Sequence, residues 1–195
     1  MKPLTLQPPF TAFKEWHAIC DALSSGQQHV ILRKGGIAEG REGFAFQHRE
    51  FLLFPTFFHA QYEGIRTSTD HRILRNEEPR DQVTFTAGCQ IVGKAVISDW
   101  ELVERLQPFH IWKGELLRER FDYGDHQALH LAVVRTFRLE SMSIPFEKRY
   151  GGCRSWVSLP LTEPIIAKPV VSDDVFRSAY KEIDSALTKN VLKKY

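Results

Sequence analysis

Arg33, Lys34, Gly35 and Gly36 stand in a row where the apolar run "HVILR" ends. Two cations followed by two glycines leave backbone amides open to an anion. Arginine adds a planar fork suited to phosphate or a base edge, and lysine a mobile point charge. The plainer reading is a solvated hairpin closed by a Gly-Gly turn. Thr56 and His59 lie in "FLLFPTFFHAQY", where the chain leaves an apolar run and sites are often built. Its aromatics, Phe51, Phe54, Phe57, Phe58 and Tyr62, are core packing in the plain reading. In the functional one, a ring stacks on an extruded base while Thr56 or His59 bonds its edge. Arg154 and Ser155 follow a Gly-Gly turn in "YGGCRSWV", bracketed by Tyr150 and Trp156. That reversal calls for a positive φ at Gly151 or Gly152, with Trp156 buried beyond it and Arg154 and Ser155 on a pocket wall.

Other chemistries find less support. No Walker loop, Nudix box or G-x-S-x-G elbow is present. A restriction-type metal site needs E-x-K on a strand, and in "FEKRY" the Lys follows Glu directly, on the opposite face. His126 and His130 are four apart but straddle a strand start, and Cys20, Cys89 and Cys153 lack a C-x-x-C partner, so no metal or cofactor is expected. Three distant cysteines suit reduced thiols in a cytoplasm. A net charge of +2 over 195 residues means that nucleic-acid binding would depend on a local basic patch. No apolar run is long enough to span a membrane, and "MKPLTLQPPF" does not read as a signal peptide.

The elements that must position these residues are short. "TAFKEWHAICDALSSG" has helical spacing at Phe13, Trp16, Cys20 and Leu23, with Gly26 as its left-handed stop. "HVILR" and "EFLLF" read as buried strands, the second broken at Pro55. A long polar excursion follows. "VTFTAGCQIVGKAVI" carries glycines suited to a bent or bulged strand pair. "SDWELVERLQ" begins a helix capped by Ser98, and Pro108 ends it. "ALHLAVVRTFRLE" is the longest strand, with Leu129, Leu131, Val133, Phe137 and Leu139 on one face. "RSWVSLPL" is the last strand. "SDDVFRSAYKEIDSALTK" is an amphipathic helix capped by Ser172, with Phe176, Tyr180, Ile183 and Leu187 as its stripe.

"FKEWHAICDAL", "ILRKGGI", "FLLFPTFFH", "HIW" and "YGGCRSWVSL", in this order, resemble a bacterial family catalogued as domain of unknown function 1802. The likeness covers roughly residues 12–162 and leaves the terminal helix outside. It implies a family without an assigned activity, some of whose members are joined to a Mrr-type restriction endonuclease domain; no stretch of these residues reads as such an endonuclease. "GQQHVILR" also resembles the G-x-K-x-x-E-x-R signature of ASCH domains. Gly26 and Arg33 match, whereas Gln28 and Ile31 replace the Lys and Glu. That second likeness implies a PUA-like barrel of the kind that binds RNA and modified bases.

These readings lead to an α+β fold: a PUA-like curved β-sheet or small barrel with flanking helices. Residues 1–165 form one domain and 166–195 an appended helix. The expected function is a nucleic-acid-binding module that reads a modified or flipped base in a restriction or defence setting. Arg33, Lys34, Gly35, Gly36, Thr56, His59, Arg154 and Ser155 are its contacts. One alternative is a small hydrolase or ribonuclease using His59 or Lys34 in proton transfer. Another is a non-catalytic subunit that docks a partner, or a second copy, through its terminal helix.

Overall fold

The computed structural model describes residues 2–34, 44–57, 59–66, 81–188 and 191–195, and of His59 and Ala60 it describes the backbone only. In chain order the elements are β1 (Leu4–Leu6), β2 (Phe10–Trp16), α1 (His17–Ser24), β3 (Val30–Arg33), β4 (Glu50–Thr56), β5 (Gln82–Ile97), α2 (Trp100–Arg105), α3 (Gly114–Asp122), β6 (Leu129–Pro145), β7 (Trp156–Leu159), β8 (Ile165–Pro169), α4 (Asp173–Ala186) and β9 (Lys193–Lys194). The strands join one mixed sheet in the order β1-β8-β6-β5-β4-β2-β7, with β3 also on β6 and β9 also on β5. The fold is α+β, as the sequence suggested.

β2 was expected as part of a helix. It is a strand, parallel to β4 and antiparallel to β7, and α1 begins only at His17. Both of its faces are covered: Phe10 and Ala12 enter one apolar cluster and Phe13 the other. With two buried faces the alternation that marks a strand is lost, and the chance spacing of Phe13, Trp16 and Cys20 reads as helical. Gly26 does end α1 in the left-handed region, at φ 77°, while the N–H groups of Gln27 and Gln28 both turn back to the Ala22 carbonyl.

β4 runs through Pro55 rather than stopping there. Its ladder with β5 ends at Leu52↔Gly88, so the missing proline N–H leaves no β5 partner unsatisfied. β5 is one strand of 16 residues, bent by register shifts against β6 at Phe85/Ala87 and Ile91/Gly93. Those irregularities curl the sheet. The five β6 residues expected on one face divide between two cores: Leu129, Leu131 and Val133 pack in the first cluster, Phe137 and Leu139 in the second.

The α2 cap is Asp99, one residue later than the expected Ser98; its carboxylate accepts the Glu101 N–H at 3.0 Å. α3 has no counterpart in the sequence reading, because its residues are mostly polar and only Leu117 and Phe121 are buried. α4 is capped by Ser172 as expected and buries Phe176 and Ile183, and Leu187 just beyond it is also buried. The segment expected as an appendage begins inside β8, which pairs with β1 and β6. Ile183 and Leu187 share the first cluster with Ile19 of α1 and Ile31 of β3.

β3 is bonded to β6 and β7 to β2, but no ladder joins β3 to β7 among the described residues. The curved sheet therefore has a seam.

Candidate functional site

Arg33 ends β3 at this seam and Ser155 immediately precedes β7. A guanidinium N–H of Arg33 donates to Ser155 Oγ at 3.1 Å, and the group lies over the Phe13 ring, 5.7 Å from its centroid. Trp156 meets the same ring edge-on at 4.8 Å, because Phe13 and Trp156 are register partners on β2 and β7. Trp156 is half-buried rather than buried, with Phe51 and His48 against its other edges. Gly152 has φ 77°, the reversal expected before this strand.

Strand pleating turns alternate residues of β2 to opposite faces, so Glu15 points the same way as Phe13. Glu15 is 1% exposed. Its Oε1 accepts the Trp16 N–H at 2.8 Å, while Oε2 is buried without a hydrogen-bond partner among the described residues. The Glu15 carbonyl is held by Thr56 Oγ1 at 3.0 Å and by the Cys20 thiol at 3.8 Å. Arg120, from α3, lies over the Trp16 indole at 4.6 Å. Burial pushes its guanidinium below the ordinary value; Glu15 opposes the shift, while Arg33 adds to it. Arg120 thus senses both Glu15 and Arg33, yet it closes no ion pair with Glu15 among the described residues.

The cations of the opening motif part company. Lys34 turns away from the seam and donates to the carbonyls of Phe121, Ala128 and His126, the first two at 3.0 and 3.3 Å. An ammonium has three donors, and all three are engaged in fastening the chain after α3. Burial lowers the Lys34 pKa and Asp122 opposes this. Gly35 and Gly36 lie outside the described residues, as does the His59 side chain. Arg154 is exposed, with no hydrogen bond or ion pair among the described residues, and its charge reaches Lys14. Arg33 and Ser155 therefore meet directly and Arg154 is adjacent in the chain. Among the described residues, Thr56 meets the site through the Glu15 carbonyl.

Gln28, where the ASCH-like signature has Lys, is fully buried. It bonds Val30 O at 2.8 Å and the Ile111 N–H at 2.9 Å, a bracing role in the core. Glu15 and Arg120 were not visible in the sequence as site residues. Glu15 sat inside an apparent helix, and Arg120 belongs to an unforeseen one. A charged residue within the apolar stretch "AFKEWHAI" was the only available signal.

A curved α+β sheet with a cationic, partly aromatic seam defines the class of this protein. The family model described as Domain of unknown function (DUF1802) matches residues 12–182, and the chain belongs to that family. The match runs into α4 at Glu182, past the expected limit near Thr162. Among solved structures, the crystal structure of ASCH from Zymomonas mobilis is similar with a TM-score of 0.45 and 11% identity, over 91% of this chain and 94% of that one. The S128A mutant of the Zymomonas mobilis ASCH protein gives 0.47 and 12%, over 77% and 88%. No curated protein matches the sequence. No helix of the described residues is long and apolar enough to cross a membrane.

Proposed function

We propose that the seam between β3 and β7 binds nucleic acid and seats one unpaired or flipped base beside Glu15. The observation that carries this reading is the buried Glu15 carboxylate with one oxygen unpartnered among the described residues, its charge felt by the Arg120 guanidinium. A buried acceptor without a donor is costly unless a ligand supplies one, and the exocyclic amine of a base does so. Arg120 would donate to a neighbouring acceptor on the same base edge. Arg33 retains N–H groups beyond its bond to Ser155, and exposed Arg154 has its whole fork available for phosphate. Trp156 is only half-buried, and its remaining exposed surface would be the part open to stacking on a base.

The test is affinity against salt for single-stranded, double-stranded and base-modified DNA and RNA; the modified substrates address the restriction or defence setting. Arg154→Ala should weaken all substrates about equally and lower the salt slope by about 1. Glu15→Gln should alter base preference by roughly 1–3 kcal/mol, because a carboxylate only accepts whereas an amide also donates. Lys34→Ala should leave the salt slope unchanged and lower the melting temperature. Absence of wild-type binding to every substrate at low salt ends this reading.

A further inference from the structure

Lys14 and Glu15 are consecutive, so the strand that sends Glu15 into the seam sends Lys14 out of its other face. There it borders a cavity of about 530 Å³ between β2, the start of α1, β4, the start of β5 and residues 146–151. Ligand pockets are usually roughly 300–1,000 Å³. Nothing in the seam reading uses this cavity.

We propose that this cavity is a second ligand site, separate from the seam, for a small anion carrying a planar ring, of the nucleoside monophosphate class. The anionic preference follows from Lys14. Its ammonium is half-buried and fixed by the carbonyls of Tyr150 and Gly152 at 2.8 and 2.7 Å, which leaves its third N–H for a ligand. Burial holds its pKa below the ordinary value; the Cys153 thiolate would oppose that, and Arg33 and Arg154 add to it. A desolvated cation beside two further positive charges gains most from an incoming anion. The acid in the wall, Asp21, has its Oδ2 3.3 Å from His17 Nδ1, and burial raises its pKa while His17 opposes this.

The ring follows from the aromatics. Phe57 lies against the His17 imidazole at 4.5 Å with 31° between planes. At the other side Phe146 remains 44% exposed, 6.2 Å from the Tyr150 ring. An exposed phenyl at the rim of a cavity with a fixed cation suits a ligand that is flat at one end and charged at the other.

The experiment is calorimetric titration of the full chain with the four common nucleoside monophosphates, the corresponding nucleosides, benzoate and inorganic phosphate. Saturable binding of a monophosphate is expected, about tenfold tighter than its nucleoside and than phosphate alone. Phe146→Ala should weaken it several-fold with an unchanged melting temperature, since that ring is exposed. Lys14→Met should remove the preference of monophosphate over nucleoside; because Lys14 also braces the 150–152 turn, this variant is read only as that ratio. Retention of binding in Arg33→Ala separates this site from the seam. No saturable binding by any probe at millimolar concentration overturns the proposal. So does binding that Arg33→Ala abolishes and Phe146→Ala spares. Tighter binding of benzoate than of every monophosphate overturns the assigned ligand class.

Discussion

His110 shows how one buried side chain ties this molecule to pH. It is 4% exposed and lies beside the Trp112 ring at 5.5 Å. Burial and then the Arg66 charge lower its pKa from 6.5 to about 4, with the backbone at Trp112 opposing. The folded value is the depressed one, so between about pH 4 and 6.5 the unfolded chain holds a proton that the folded chain refuses. Stability from this group is therefore complete above about pH 6.5 and falls away as the pH drops, by roughly 3 kcal/mol in total. His110→Leu should flatten the acid limb: unfolding free energies from pH 4 to 7 would show the wild-type advantage growing with pH. A difference profile independent of pH would contradict the assignment. At the seam, Glu15 is a buried carboxyl side chain with one oxygen unpartnered among the described residues. Such groups lower stability unless paired, which is why this carboxylate, rather than the more visible cations, anchors the functional reading.

Among the elements, the wholly apolar runs of β3 and β4 and the regular stripe of α4 were legible from sequence, whereas β2 and α3 were not. α4 could be read because Ser172 caps it and its apolar stripe recurs at helical spacing. The bend in β5 was announced by its glycines, and β6 by its length. β2 was misread because both of its faces are packed, and α3 was missed because it buries only two side chains along its length. The candidate site inherits this division. Arg33 stands out beside its glycines, whereas Glu15 and Arg120 become neighbours only when β2 and α3 are folded together, over a hundred residues apart in the chain. α4 also allows a test of whether the terminal helix is an appendage. Ile183 is fully buried in the cluster that includes α1 and β3. Ile183→Ala should therefore cost about 2–5 kcal/mol in chemical denaturation. A loss below about 1 kcal/mol would fit a helix merely resting on the domain.

For the whole molecule, the seam means that the sheet is held along most of its width by backbone ladders but at one place by side chains. The Arg33–Ser155 bond joins residues 122 positions apart. β2, which supplies Phe13 and Glu15, needs β4 on one side and the late strand β7 on the other. Contacts of such separation carry a large loop-closure cost, and they form after the local ladders have organised the chain. The candidate site is thus expected to assemble late, along with the other long-range pairings of β1 with β8 and β2 with β7. In kinetic terms, Ser155→Ala should accelerate unfolding and leave the refolding rate nearly unchanged, so that only one arm of the chevron moves. An equal slowing of refolding would place the seam in the folding nucleus. On this ordering, a ligand held across β3 and β7 acts as a late fastening. It would lengthen the lifetime of the folded chain without helping the chain to fold.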